Sequence, residues 1–377
     1  MRNNSSTTGS EARRGGRLRV AGAVALAALV AVVGILAVQQ LLAPKYMDSL
    51  HEGAMLAEYY SGEKNHDVIF IGDCEAYDNF SPITLWEEYG IASYIRGGPE
   101  QLMWQSYYVL RDTLYYEKPK VVVLNVLAMM SGTPSSEAYN RLNLDGLRLS
   151  PAKIAAIKAS MTKDEMLLTY LFPLLRYHDR WSELTAEDIK YYFKKSKVTH
   201  NGYYMRNDVK PVTIIPEGPK LPDYRFPDIC YGYLDKIREL CEENDIELIL
   251  VKAPSIYPHW YEEWDGQARA YADSHGLVYI NYLEIADDIG LDFETDTYDA
   301  GLHMNRAGAE KVSRHLGGVL RDEFGLADKR ADAALAAIWD EKVGAYYEMA
   351  EAQLRDIELY GEVRTFIYEN SRTAKER

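Results

Sequence analysis

Short apolar runs that alternate with amphipathic segments are the feature that most constrains the fold of this chain. They are residues 68–71, 94–95, 121–126, 247–252 and 277–281. Strands that are apolar on both faces and are separated by helices belong to a parallel sheet covered by helices on both sides. The sequence therefore predicts an α/β domain with a five-stranded parallel sheet.

Two parts of the chain do not follow this alternation. Residues 131–225 lie between the third and fourth strands and combine helical patches with a proline-rich stretch. We interpret them as an insertion over the carboxyl edge of the sheet, where open α/β sheets bind ligands, although a purely structural subdomain fits equally well. Residues 326–377 are predicted to form a helical extension, which either packs back onto the main domain of residues 67–325 or self-associates.

An apolar run without a charged residue extends from residue 20 to residue 38. At a rise of about 1.5 Å per residue it matches roughly one bilayer hydrocarbon core. We predict a cytoplasmic tail at residues 1–19, an uncleaved single-pass anchor at 20–42 and a helical stalk at 45–66, because the arginines before the run favour an inside N-terminus. A cleaved signal peptide is less favoured, since the run is long and no small-x-small site closes it.

The charge distribution limits the classes of partner. Residues 1–19 contain five arginines and one glutamate and carry a net charge of +4. Since the whole chain carries −15, residues 20–377 carry −19. This acidic excess argues against nucleic acid or an anionic bilayer surface as the main partner.

The chain has three cysteines, Cys74, Cys230 and Cys241. If residues 228–243 form one helix, the last two lie about 16 Å apart along its axis, which is too far for a disulfide. We therefore predict that both are core residues and that Cys74 is a free thiol.

Candidate catalytic residues lie at two distant places. Cys74 follows the first strand in the turn Gly72-Asp73-Cys74-Glu75, where a helix N-terminus is expected to lower the thiol pKa. His303 precedes the last helix of the domain, and Asp299, or alternatively Asp296, could orient its imidazole. No His, Cys and Asp cluster has metal-ligand spacing, so neither a metal nor another cofactor is expected.

These residues resemble the block pattern of the SGNH (GDSL-type) hydrolases. The pattern is a strand followed by a Gly-Asp-Ser-like turn, a second turn at Arg96-Gly97-Gly98-Pro99, an Asn after the third strand and a late acid-His segment. The resemblance covers residues 66–325 apart from the insertion and implies a flavodoxin-like three-layer α/β/α sandwich. Residues 298–311 are similar to membrane-anchored, extracytoplasmic bacterial members, so it also implies a bacterial cell membrane location.

The resemblance assigns roles to individual positions. Cys74 takes the place of the nucleophile, His303 that of the base and Asp299 that of the acid. The backbone N–H of Gly98, or of the glycine before it, and the side chain of Asn125 take the place of the oxyanion donors. Two departures from the family are the cysteine in place of serine and an acid four residues before the histidine where the family has three.

Two functions of different classes follow as hypotheses. The first is an extracytoplasmic acyl-ester hydrolase or acyltransferase that acts on a cell-envelope glycan or a related polymer, because a thioester is a good acyl donor. The second is a catalytically silent binding or assembly protein of the envelope that retains the fold. Lys252, Gln101 and Trp104, which lie near the same edge of the sheet, are interpreted as structural.

Overall fold

The computed structural model describes residues 8–43, 55–186, 188–189, 197–215 and 217–366. The chain divides into two compact units. One consists of Met1–Pro44 with Leu168–Lys195, and the other of Lys45–Leu167 with Ser196–Arg377. The predicted insertion is therefore divided between the two units.

A five-stranded sheet forms the centre of the larger unit. Its strands are β1 (Val68–Gly72), β2 (Ser93–Gly97), β3 (Val121–Asn125), β4 (Glu247–Lys252) and β5 (Val278–Asn281). They are all parallel and lie in the order β2-β1-β3-β4-β5. This is the flavodoxin-like order, in which the chain changes direction across the sheet between β1 and β3.

Helices cover both faces of the sheet. In chain order the α-helices of the described residues are α1 (Thr8–Leu42), α2 (Met55–Glu58), α3 (Cys74–Asn79), α4 (Pro82–Tyr89), α5 (Met103–Thr113), α6 (Glu137–Leu144), α7 (Pro151–Ser160), α8 (Leu167–Leu171), α9 (Leu174–Tyr177), α10 (Asp228–Glu243), α11 (Glu262–His275), α12 (Arg306–Asp322) and α13 (Ala333–Tyr360). Successive strand residues point to opposite faces. Val121 and Val123 pack in the layer that contains α4, α12 and α13, whereas Val122 and Leu124 pack in the layer that contains α5, α10 and α11. The predicted three-layer α/β/α sandwich is confirmed.

The C-terminal extension packs back onto the larger unit. Trp339 of α13 stacks on Trp86 of α4 with the ring centroids 4.9 Å apart, and Tyr346 and Met349 are buried in the same core. The sequence analysis left open whether this extension packs back onto the main domain or self-associates, and the structure shows that it packs back.

The predicted stalk is helical only in part. Residues 55–61 form α2 and a 3₁₀ turn, Tyr59–Ser61, and the helical structure ends before Gly62. Residues 45–54 lie outside the described part of the chain.

The smaller unit contains the candidate membrane helix. Within α1, the stretch Arg17–Leu42 has a mean hydropathy of 2.7 and is long and apolar enough to cross a bilayer. The same unit contains α9 and the 3₁₀ helix His178–Glu183. Arg180 of that helix donates a hydrogen bond from Nη1 to the Leu42 carbonyl, at 3.1 Å.

Candidate active site

The turn after β1 presents Cys74 at the carboxyl edge of the sheet, beside the change of direction. Gly72 has φ +152°, and a Cβ atom there would lie 2.8 Å from Cβ of Asn125, so this position requires glycine. Asp73 caps α3 by accepting a hydrogen bond from the Glu75 N–H at 3.1 Å, and Cys74 is the first residue of the helix. All three cysteines are free thiols, as predicted, and only Cys74 is partly exposed.

The structure brings Asp299 to His303. Oδ2 of Asp299 lies 2.7 Å from Nδ1 of the imidazole, and Oδ1 accepts a hydrogen bond from the His303 backbone N–H, also at 2.7 Å. The extra residue between acid and histidine is accommodated by two successive left-handed residues, Ala300 at φ 65° and Gly301 at φ 94°. The turn they form returns the carboxylate to the imidazole, so the longer spacing preserves the acid-histidine pair.

The alternative acid is engaged elsewhere. Oδ2 of Asp296 lies 2.7 Å from Nζ of Lys311 and accepts the Asp292 backbone N–H at 2.8 Å. Asp299 is therefore the carboxylate on Nδ1 of His303.

A second carboxylate, which the sequence analysis missed, lies on the other side of the imidazole. Oδ2 of Asp78 is 3.8 Å from Nε2 of His303, and Asp78 is only 2% exposed. Asp78 is four residues after Cys74 on α3, so both side chains project from the same face of the helix. The Cys-x-x-x-Asp spacing is the signal that could have revealed it.

Cys74 contacts the imidazole, but the alignment is loose. The two groups lie close enough to shift one another's pKa, since His303 lowers the pKa of the thiol and Cys74 raises that of the imidazole. Within the described residues, however, Nε2 of His303 has no hydrogen-bond partner of good geometry. The Tyr298 ring stacks on the imidazole, with centroids 5.7 Å apart, and restrains its orientation. Catalytic hydrogen bonds are often long before a substrate binds.

The ionisation of the pair differs from the expectation for a helix N-terminus. Burial raises the pKa of the Cys74 thiol to about 11, and the charges of Asp73 and Asp78 add to this rise, while His303 opposes it. The predicted lowering of the thiol pKa is wrong, because α3 has only six residues and loss of solvation outweighs its dipole. Burial opposes protonation of His303, yet the negative charges of the thiolate and Asp78 and the hydrogen bond to Asp299 hold the pKa of His303 well above its ordinary value.

Both predicted oxyanion donors are already engaged. The Gly98 N–H donates to the Gly72 carbonyl at 3.2 Å. Nδ2 of Asn125 donates to Oδ1 of Asp73 at 3.0 Å and to Oε2 of Glu75 at 3.1 Å. In this arrangement both groups donate their protons to other acceptors, and their assignment as oxyanion donors stays a prediction. The backbone N–H of Cys74 is the remaining candidate donor.

A buried ion pair supports the turn beneath Cys74. Nζ of Lys252 lies 2.7 Å from Oε1 of Glu75, and both side chains are inaccessible to solvent. Burial and the charge of Glu75 raise the pKa of Asp73. Lys252 is thus structural, as predicted, and holds the acidic turn in place.

Gln101 and Trp104 are both buried. The amide of Gln101 donates to the Arg96 carbonyl and to Oδ1 of Asn143, at 3.3 Å each. Its Oε1 accepts a hydrogen bond from the Ser106 hydroxyl at 3.1 Å, so Gln101 is structural, as predicted.

A pocket of about 510 Å³ opens beside Cys74. Its lining residues are Asp73, Cys74, Glu100, Gln101, Leu102, Leu127, Ala128, Met130, Ser131, Gly132, Thr133, Pro134, Ser135 and Pro258. The charged members, Asp73 and Glu100, are acidic, and the rest offer apolar and hydroxyl groups. Nowhere in the described ranges do three or more His, Cys, Asp or Glu side chains form a group that could hold a metal ion.

Comparisons with known proteins find likenesses in structure only. No protein-family model matches this sequence, and no curated protein matches it either. Among solved structures, a protein described as an acylhydrolase from Bacteroides fragilis is 13% identical, with a TM-score of 0.35, over 71% of this chain and 94% of its own. A GDSL-like lipase from Bacteroides thetaiotaomicron is 13% identical, with a TM-score of 0.34, over 73% and 98%. These likenesses are too distant to assign an activity to this chain.

Proposed function

We propose that this chain is a membrane-anchored, extracytoplasmic enzyme that hydrolyses or transfers acyl esters of a cell-envelope glycan or related polymer. The observation that carries the proposal is the placement of His303, whose Nδ1 lies 2.7 Å from Oδ2 of Asp299 and whose ring is close enough to Cys74 for each group to shift the pKa of the other. A nucleophile, an imidazole and an orienting acid at the ligand edge of an open sheet are the parts of a catalytic triad.

The chemistry that these residues support is acyl transfer through a thioester. The Cys74 thiolate attacks the ester carbonyl, and the protonated His303 gives its proton to the departing alcohol. Water or an acceptor hydroxyl then attacks the thioester, His303 takes the proton of that nucleophile, and the cysteine sulfur leaves as the thiolate. The Cys74 N–H is the candidate donor to the oxyanion in both steps.

The pocket favours an uncharged substrate. Its two ionisable carboxylates, Asp73 and Glu100, would repel phosphate or carboxylate groups near the ester. The apolar residues Leu102, Leu127 and Ala128 suit an acyl chain, and the hydroxyls of the Ser131–Ser135 loop suit the hydroxyls of a sugar.

Two variants test this mechanism on a chromogenic acetyl ester. Cys74→Ser is expected to retain some turnover, because a hydroxyl can replace the thiol, whereas His303→Ala is expected to abolish it. Cys230→Ser removes a second free thiol from the core and serves as the matched control with full activity. Equal loss, or equal indifference, in the Cys74 and His303 variants would contradict the mechanism.

A catalytically silent binding protein is the second candidate, and two observations favour it. The Cys74 pKa of about 11 keeps the thiol protonated at neutral pH, and the two predicted oxyanion donors are engaged elsewhere. A thiol-reactive ester probe separates the two candidates. Labelling of Cys74 that is lost in His303→Ala supports the enzyme, and an unreactive Cys74 in both proteins supports the binding role.

A further inference from the structure

The segment of residues 168–189 exposes apolar side chains that the proposed chemistry does not use. Its large exposed apolar residues in the described part are Leu168, Phe172, Leu175, Trp181 and Ile189. The Trp181 side chain is 71% exposed. On a protein surface in water, large apolar side chains concentrated in one short segment mark an interaction site.

The segment is fixed to one end of the candidate membrane helix. Arg180 donates from Nη1 to the Leu42 carbonyl at 3.1 Å and from Nη2 to Asp188 at 2.9 Å. Asp188 in turn accepts the Thr185 backbone N–H at 3.0 Å. Leu42 is only 5% exposed, although the apolar residues earlier in the helix are open to solvent. The segment therefore covers the final turn of α1, and the depth of that turn sets the depth of the segment.

The length of α1 sets the depth of that final turn. The apolar stretch Arg17–Leu42 has 26 residues, which corresponds to about 39 Å at about 1.5 Å per residue. A bilayer measures about 30 Å across its hydrocarbon core and about 40–45 Å with its headgroups. If α1 spans the bilayer, the Leu42 carbonyl and Arg180 lie in the headgroup layer, where a guanidinium remains solvated.

The composition of the segment suits the same layer. Four of the 22 residues 168–189 are aromatic, a larger share than the 12% of the whole chain, and aromatic side chains are enriched at membrane interfaces. Residues 168–189 contain two arginines and four acidic residues and carry a net charge of −2, so the surface that suits them is zwitterionic and not anionic.

We propose that residues 168–189 form an interfacial segment that inserts Leu168, Phe172, Leu175 and Trp181 among the lipid headgroups around the outer end of α1. The partner is the bilayer surface on the extracytoplasmic side. This inference rests on the membrane anchor of the proposed function and adds a second membrane contact, which holds the end of the anchor helix at a fixed depth. It is independent of whether Cys74 is catalytic.

Lipid-borne quenching tests the proposal in the full chain. Single cysteines are introduced in a Cys74→Ser background as Leu175→Cys and Trp181→Cys, with Val30→Cys in the anchor and Leu359→Cys, another exposed apolar position, as references. Each is labelled with an environment-sensitive fluorophore and reconstituted in phosphatidylcholine vesicles with nitroxide lipids. Headgroup-level nitroxides are expected to quench positions 175 and 181 several-fold more than position 359, and chain-level nitroxides are expected to quench position 30.

The quenching pattern distinguishes a failure of the interfacial segment from a failure of the membrane anchor. Quenching at position 30 together with positions 175 and 181 no more quenched than position 359 refutes the interfacial segment and leaves the anchor intact. Absence of quenching at position 30 refutes both. A blue-shifted but unquenched label at 175 or 181 shows that protein, not lipid, covers the surface, and it also overturns the inference. Combining Phe172→Ser and Leu175→Ser should reduce the quenching at position 181, because it removes neighbouring apolar anchors.

Discussion

The charge of Asp78 contributes to the ionisation of the proposed site, and Asp78→Asn removes this charge with almost no change in shape. Oδ2 of Asp78 lies 3.8 Å from Nε2 of His303, and both residues are buried. Two unit charges at this distance interact by about 4 kcal/mol at an effective dielectric constant of about 20. At about 1.4 kcal/mol per pKa unit, this corresponds to an upper limit of about three units.

The substitution should make the pair of Cys74 and His303 lose its first proton more readily. The charge of Asp78 raises the pKa of both groups, so its removal lowers both, whichever of them gives up the proton. We expect the alkylation of Cys74 to reach its half-maximal rate about one to three pH units lower in Asp78→Asn than in the parent protein.

The assay is pH-dependent labelling of the full chain with iodoacetamide, in which the modification of Cys74 is followed by peptide mass spectrometry. Asp296→Asn is the matched control, because that carboxylate binds Lys311 and not the imidazole. An unchanged profile in a folded Asp78→Asn protein, or a shift to higher pH, would refute the reasoning. Equal shifts in both variants would show that the effect does not come through His303.

Three further changes test the supporting contacts. Asp299→Asn should lower turnover on an acyl ester by about a hundredfold or more, because His303 loses the charged partner that orients it; wild-type rates would contradict the pairing. Lys252→Met leaves Glu75 buried without its partner and should lower the free energy of unfolding by about 3–5 kcal/mol in denaturant titration, with partial recovery on adding Glu75→Gln. Trp339→Ala removes the stacked ring by which α13 packs on α4 and should cost about 3–5 kcal/mol in the same assay, whereas a loss below about 1 kcal/mol would mean that α13 is peripheral.

The sequence predicts the sheet well because its information there is local. Val121–Asn125 and its neighbours are apolar on both faces, which only a covered parallel strand requires. The division of the insertion is not predictable in this way. It involves contacts between segments that are far apart in the sequence, such as the hydrogen bond from Arg180 to the Leu42 carbonyl, which joins residues 138 positions apart, and no periodicity encodes such a contact.

In the candidate site too, features encoded by short motifs are predictable from the sequence, and features that depend on contacts between distant segments are not. Cys74, His303 and Asp299 are predicted from short motifs, and the structure brings them together. The hydrogen bonds of the two predicted oxyanion donors could not be read from motifs, because their acceptors come from other segments. The carbonyl of Gly72 accepts from the Gly98 N–H, and the carboxylates of Asp73 and Glu75 accept from the amide of Asn125. The prediction that the pKa of Cys74 is lowered is wrong for a related reason, since the burial that raises this pKa depends on the whole fold.

Asp78 also gives a physical reason for a cysteine in place of a serine. The charges of the Cys74 thiolate and Asp78 and the hydrogen bond to Asp299 raise the pKa of His303. The neutral imidazole that a serine hydroxyl needs as its base is therefore scarce, and a serine at this position keeps only part of the turnover. A thiol with a pKa of about 11 ionises without that help, and about one molecule in a thousand carries the thiolate at pH 8. The thiolate is intrinsically the better nucleophile, and the imidazolium beside it already holds the proton that the departing alcohol needs. The charges that suppress the first attack therefore assist the expulsion of the leaving group, and a site of this kind gains activity as the pH rises towards the thiol pKa.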